Sequence, residues 1–212
     1  MKSVPATGYL TKNVTADPAK YASLERFIDT VRNGNRKQLV GVYVPDVLAL
    51  PVNQQPTGDA SYVTHKQEQA TQFAMASQHG TIGILAHNDL AGAEFLNLHR
   101  GQAAIAIYGD GRLEYFIVDQ VQRFQALAPN SPFSDFVNLD KPSELLSAGE
   151  LFSRVYTKGS QLVFQTCINA HGNPSWGRMF IIARPAPQPT LYPARRLPFF
   201  ERFSSLGIAA AS

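Results

Sequence analysis

The sequence predicts a mainly β protein, a barrel or sandwich with chiefly antiparallel pairing, and three observations carry that expectation. Short apolar or β-branched segments recur along the chain: QLVGVYV from Gln38, TIGILA (81–86), AAIAIY (103–108), LEYFIVDQV (113–121), LVFQT (162–166) and MFIIA (179–183). Polar turn residues separate them, with Gly109-Asp110-Gly111 set between two strands as a hairpin turn. Helical periodicity is confined to two places, near the start and at 142–156.

The elements follow in order. Residues 1–16 are polar and unpatterned and are expected to form a loose tail. A helix is predicted over 17–33, with Asp17 as its cap, Pro18 in the first helical position and Asn33-Gly34 as its stop. Tyr21, Leu24, Ile28 and Val31 fall on one stripe of it, so it should lie outside a larger body. The prolines of VPDVLALPV interrupt the first strand region, as at an edge or bend. PSELLSAGELFSRVY (142–156) is expected to carry a short helix inside a long connection. After Arg184 the sequence PAPQPTLYPARRLP cannot continue a sheet and reads as an extended tail. The expected organisation is therefore a tail and helix over 1–37, a barrel over 38–184 and a Pro-rich tail over 185–212.

Composition narrows the function classes. The 212 residues are 44% hydrophobic and 17% charged, enough apolar matter for a packed core without staples. Lys and Arg exceed Asp and Glu by 19 − 16 = 3, and the charges are scattered, so no nucleic-acid partner is expected. The start has a lysine but no apolar stretch of a secretory signal, and no run reaches the roughly 18 apolar residues of a membrane span. Cys167 is the single cysteine, so no intrachain disulfide can form.

Three residues can do chemistry together that none does alone. A lone cysteine ending an apolar strand is more often a small buried hydrophobe than a nucleophile. His87 at the end of TIGILA and Arg178 at the start of RMFIIA have equally ordinary structural readings. A thiol, however, attacks an acyl carbon as thiolate and needs a proton acceptor or cation beside it. A histidine supplies that and later protonates a leaving amine, while an arginine fork can hold an oxyanion. If strands 81–86, 162–166 and 179–183 are neighbours, all three side chains meet at one rim. His87, His99, His171 and Cys167 have no close ligand spacing, so neither a metal nor a cofactor is expected. Trp176, between Cys167 and Arg178, either lines a peptide groove or covers the end of the barrel. Asn88 and Asp89 read as a polar turn or as substrate contacts, and Asp110 and Asp119 as turn and solvent-face residues.

The segment FQTC (164–167), followed eleven residues later by Arg178 and an apolar strand, resembles the signature of the sortase family. GTIGILAHNDLAGAEFLNL (80–98) is similar to that family's strand ending in Gly-His, a polar turn and an F-x-x-L segment, with Ala86 in place of the glycine. GQAAIAIYGDGRLEYFIVDQV resembles the hairpin that follows, and GVYVPDVLALPV the opening strand. The pieces stand in family order over about residues 38–184. The resemblance implies an eight-stranded β-barrel with an N-terminal helix and short helices in its loops. It implies a cysteine transpeptidase in which Cys167 is the nucleophile, His87 the general acid/base and Arg178 the stabiliser of substrate or oxyanion. Thr166 and Trp176 would adjoin the substrate. The implied partners are a protein bearing a C-terminal sorting peptide and an amine acceptor, a cell-wall cross-bridge or a pilin lysine, at the extracellular face of the cell envelope. Two rival readings are a catalytically silent peptide-binding barrel and a cysteine peptidase that releases its thioester to water.

Overall fold

The computed structural model describes residues 18–188, with side chains from Ser23 onward. The polar segment 1–16, the expected Asp17 cap and the Pro-rich stretch from residue 189 lie outside the described residues. Helix α1 spans Pro18–Val31, and strands β1 Leu39–Val44 and β2 Leu48–Gln54 follow it. Then come β3 Ala70–Gln72, α2 Ala74–Ser77, β4 Thr81–Leu85 and α3 Gly92–Phe95. Strands β5 Ala103–Tyr108 and β6 Leu113–Ala126 lead to β7 Phe136–Asn138, β8 Leu145–Leu146 and α4 Ala148–Tyr156. The chain then closes with β9 Gln161–Ala170 and β10 Asn173–Pro185.

Eight strands close into a barrel. Their hydrogen-bonded order is β10-β9-β4-β3-β2-β1-β5-β6, and a further β10–β6 pairing joins the ends. Strands β7 and β8 are a ribbon appended to β6. Most neighbours are antiparallel, but β2–β3 and β4–β9 are parallel, so the barrel is mixed. A parallel pair needs a long crossover. The segment 55–69 supplies one, and everything between β4 and β9 supplies the other.

Burial explains the two kinds of strand in the sequence. In β2, Leu48, Leu50 and Val52 point into the barrel while Ala49 and Asn53 do not, which is the alternation of a half-exposed strand. Strand β1 is buried at all six positions. Leu39, Val42 and Val44 fill the barrel, while the outer side of Gly41 faces Phe27 and Val31 of α1. A strand covered on both faces has no polar side, hence the uninterrupted run LVGVYV. Strands β6, β9 and β10 share a second, outer cluster in which Val163, Phe180 and Ile182 pack with Leu151, Val155 and Tyr156 of α4. Helix α4 starts on a capping box, with the Ser147 hydroxyl accepting from the Glu150 amide and the Glu150 carboxylate accepting from the Ser147 amide.

Several local expectations need correction. The VPDV bend is a tight β1–β2 hairpin with Asp46 at φ 64°. The strands expected over 162–166 and 179–183 extend well beyond those limits at both the Cys167 and Arg178 ends. They are joined by a two-residue turn, His171-Gly172, with φ 52° and 74°, the geometry that matches the twist of a hairpin. Trp176 therefore lies within β10 and not in a loop.

Candidate active site

Strand alternation decides which way the candidate side chains face. In β9, Leu162, Phe164 and Ile168 pack into the barrel, whereas Val163 joins the outer cluster. Gln165 also points outward and accepts a hydrogen bond from the hydroxyl of Tyr156, whose phenol is held far above its ordinary range by burial. Cys167 has the same parity, so its half-buried thiol lies on the outer face of the barrel. In β10, Met179, Ile181 and Ala183 point in and Phe180 and Ile182 point out, which puts Arg178 on the outer face too. In β4 the outer side of Gly83 faces Phe73, Ala76 and Tyr156, while Ile84 and Ala86 face inward. Continued by one residue, that alternation gives His87 the outer face.

Register then aligns the three. Cys167 and Arg178 are direct partners in the antiparallel β9–β10 ladder. In the parallel β4–β9 ladder Leu85 pairs with Gln165, and the Ala86 amide donates to the Gln165 carbonyl at 3.3 Å. Continued two residues further, that register would bring His87 level with Cys167. Arg178 in turn pairs with Phe124 of β6. Cys167 and Arg178 thus lie side by side on the outer face of the β9–β10 ladder, and the turn after His87 reaches the same hairpin through Asn88.

Each member is held by its surroundings. Thr166, on the opposite side of β9 from Cys167, is 2% exposed and donates its hydroxyl to the Ala86 carbonyl at 3.0 Å. It ties the cysteine strand to the histidine strand. The turn after His87 folds back closely, with the Leu90 and Gly92 amides both donating to the His87 carbonyl. Gly92 is required there, because a Cβ would come within 2.4 Å of Thr166 Oγ1 and 2.6 Å of the Ala86 and His87 carbonyls. The His87 ring stacks on that of His65 at 4.5 Å between centroids and 17° between planes. Its Nε2 is sealed from solvent with no hydrogen-bond partner among the described residues.

Arg178 is built into a bulge. Between Asn173 and Gly177 the β10 register slips against β9, so that Pro174 to Trp176 stand opposite the single residue Asn169, two residues in excess. Arg178 Nη1 donates to the Ser175 and Gly177 carbonyls, both at 2.9 Å, and Nη2 to the Pro129 carbonyl at 3.3 Å. Those bonds fix the plane of the guanidinium and leave Nε–H and one Nη2–H for another acceptor. Asn88 Nδ2 donates to the Pro174 carbonyl at 2.9 Å, pinning the turn after His87 to the same bulge. Trp176, in the bulge, meets the His171 ring edge to face at 5.6 Å.

His65 is the site residue that sequence reasoning missed. It sits in an unpatterned loop, 22 residues before His87, and no motif marks it. Nearby, burial and the negative charge of Glu68 raise the pKa of the Glu94 carboxyl above its ordinary value. Among the described residues no three His, Cys, Asp or Glu side chains converge on a point that could hold a metal.

No family model matches the sequence, and no curated protein does. Solved sortases are similar in structure over most of the chain. Sortase C1 from Streptococcus suis is 13% identical at a TM-score of 0.49, covering 84% of this chain and 90% of that one. Sortase A from Corynebacterium diphtheriae is 11% identical at 0.47, covering 84% and 73%. Sortase A from Listeria monocytogenes is 14% identical at 0.43, covering 70% and 87%. The fold itself is a mainly β mixed barrel of eight strands with short helices.

Proposed function

We propose that this protein is a cysteine transpeptidase of the sortase type, with Cys167 as nucleophile, His87 as general acid/base and Arg178 as the donor to the oxyanion. The observation that supports the reading is the register that makes Cys167 the cross-strand partner of Arg178 and pairs Leu85, two residues before His87, with Gln165, two residues before Cys167. A binding surface has no need of a thiol flanked by an imidazole and a guanidinium.

In the proposed reaction the Cys167 thiolate attacks a peptide carbonyl, a C–S bond forms, and the carbonyl π electrons move to oxygen. The oxyanion is met by the N–H groups that Arg178 has not committed to Ser175, Gly177 and Pro129. Collapse breaks the C–N bond, and the leaving amine takes its proton from the His87 imidazolium. The resulting thioester is attacked by an acceptor amine, which returns a proton to His87 as the C–S bond breaks and the thiolate is restored. The substrates of this reading are a protein with a C-terminal sorting peptide and an amine of the cell envelope. No helix among the described residues is long and apolar enough to cross a membrane.

The test is intact-mass trapping of an acyl-enzyme with a library of short sorting peptides, followed by addition of an amine. An adduct that is absent in Cys167→Ala and is transferred to the amine supports the reading. Adducts that only hydrolyse would make the protein a peptidase. No adduct with any peptide, in protein whose Cys167 still alkylates, would overturn it.

A further inference from the structure

Resting on the reading of His87 as the acid/base, we propose that His65 is a positioning residue for it, a flat shelf whose own charge is coupled to that of His87. The two rings lie 4.5 Å apart and nearly parallel. That contact is built by the fold. Strand β3 runs antiparallel to β4, with Thr71 opposite Leu85, so the chain entering β3 passes the end of β4 where His87 sits. The entering segment is pinned there, because the Thr64 amide donates to Thr71 Oγ1 at 2.9 Å and both threonines are buried. The Lys66 amide donates back to Thr64 Oγ1 at 3.3 Å, so His65 is bracketed by two anchored neighbours.

The shelf has a geometric and an electrostatic consequence. The ring of His87 has no hydrogen bond at Nε2, so nothing from that atom fixes its rotation. Stacking on His65 supplies the missing restraint. His65 is itself exposed. A neutral ring can lie against an imidazolium, but two imidazolium ions at this separation repel. The other charged or titratable groups around the pair are Lys66 and Glu68 on the His65 loop, Asp89 after His87, Glu94 on α3, Cys167 on β9 and Arg178 on β10. Among the described residues, only the His65 ring is stacked on the His87 face.

The experiment is NMR titration of the histidine ring protons in the full chain, comparing wild type with His65→Phe, His65→Ala and His87→Phe. The two wild-type midpoints should sum to about 0.7 pH unit less than the lone-ring midpoints in the His65→Phe and His87→Phe proteins, the coupling of two unit charges this far apart in water. In parallel, alkylation of Cys167 by iodoacetamide should slow several-fold in His65→Ala, and His65→Phe should recover most of that loss by keeping a flat ring. Additive midpoints would overturn the charge coupling, and an unaltered alkylation profile in His65→Ala would overturn the shelf. Neither readout needs peptide turnover. If His87→Ala leaves the alkylation profile unchanged, the acid/base reading fails, while the ring titrations still decide whether the histidines are coupled.

Discussion

Cys167 and Arg178 are cross-strand partners on the outer face of the β9–β10 hairpin, and the arginine's donors are mostly committed to backbone carbonyls of its own bulge and of the loop after β6. The guanidinium therefore does two things at once in the proposed site. It offers charge and donors beside the thiol, and it holds Ser175, Gly177 and Pro129 in place. An ammonium cannot imitate that planar fork.

Arg178→Lys should therefore lower kcat/KM for the acylating peptide by roughly 10²-fold, the usual scale for losing one oxyanion donor. The check is steady-state kinetics beside a thermal melt, since the loss should far exceed any change in Tm. Turnover close to wild type would remove Arg178 from the mechanism.

The rate of acylation should follow a bell-shaped pH profile. In the proposed mechanism the reacting form needs a thiolate and a protonated imidazole together, so acid removes the first and base the second. Measured as kcat/KM against pH, the alkaline limb should disappear in His87→Ala together with nearly all activity.

Gly92→Ala should destabilise the protein by about 1–3 kcal/mol, the ordinary range for forcing a methyl into a packed site. The added Cβ meets Thr166 Oγ1 and two carbonyls at 2.6 Å or less, and two of these three are backbone atoms with little room to move. Urea unfolding measures the loss, and faster or slower alkylation of Cys167 reports the shift of β4 against β9.

Thr166→Val keeps the shape of the side chain and removes its hydroxyl. The Ala86 carbonyl then loses its donor in a buried place, at a cost of about 1–3 kcal/mol. Because this bond joins the histidine strand to the cysteine strand, kcat should fall more than KM rises. A change in stability with unaltered kcat would confine Thr166 to a structural role.

Away from the site, Glu144 tests the electrostatics of the outer cluster. Both terminal guanidinium nitrogens of Arg154 donate to it, at 2.6 and 3.0 Å, and with a hydrogen bond from Asn138 they hold its pKa down to about 2 from 4.5. A carboxyl with a depressed folded pKa stabilises the fold above its unfolded value, and that stability is lost as pH falls towards the folded one. Glu144→Gln should lower Tm at neutral pH, with the difference from wild type fading between about pH 4.5 and 2. An equal difference at all pH values would mean that the pair acts through packing alone.

The proposed nucleophile, histidine and arginine could be picked out in the sequence because each ends or opens an apolar run within an ordered set of motifs. So could the hairpin at Gly109-Asp110-Gly111, where the Asp110 carboxylate accepts from the Arg112 amide, and a short helix within 142–156, found as α4. Strand β3 was not legible. Three residues, ATQ, carry no periodicity, and they form a strand because they pair with β2 on one side and β4 on the other.

What the sequence determined by itself is local: which segments extend, which faces are apolar, and where chemistry-bearing side chains end those segments. Periodicity of two and turn chemistry act over a few residues, so they survive without the rest of the chain. The tertiary structure decided what depends on contacts between distant segments. It chose the parallel register that pairs Leu85 with Gln165, 80 residues away, and the β10 bulge that turns Ser175 and Gly177 carbonyls onto Arg178. It also brought His65 from an unremarkable loop to the face of His87, because closing the barrel carries the crossover between β2 and β3 past the end of β4.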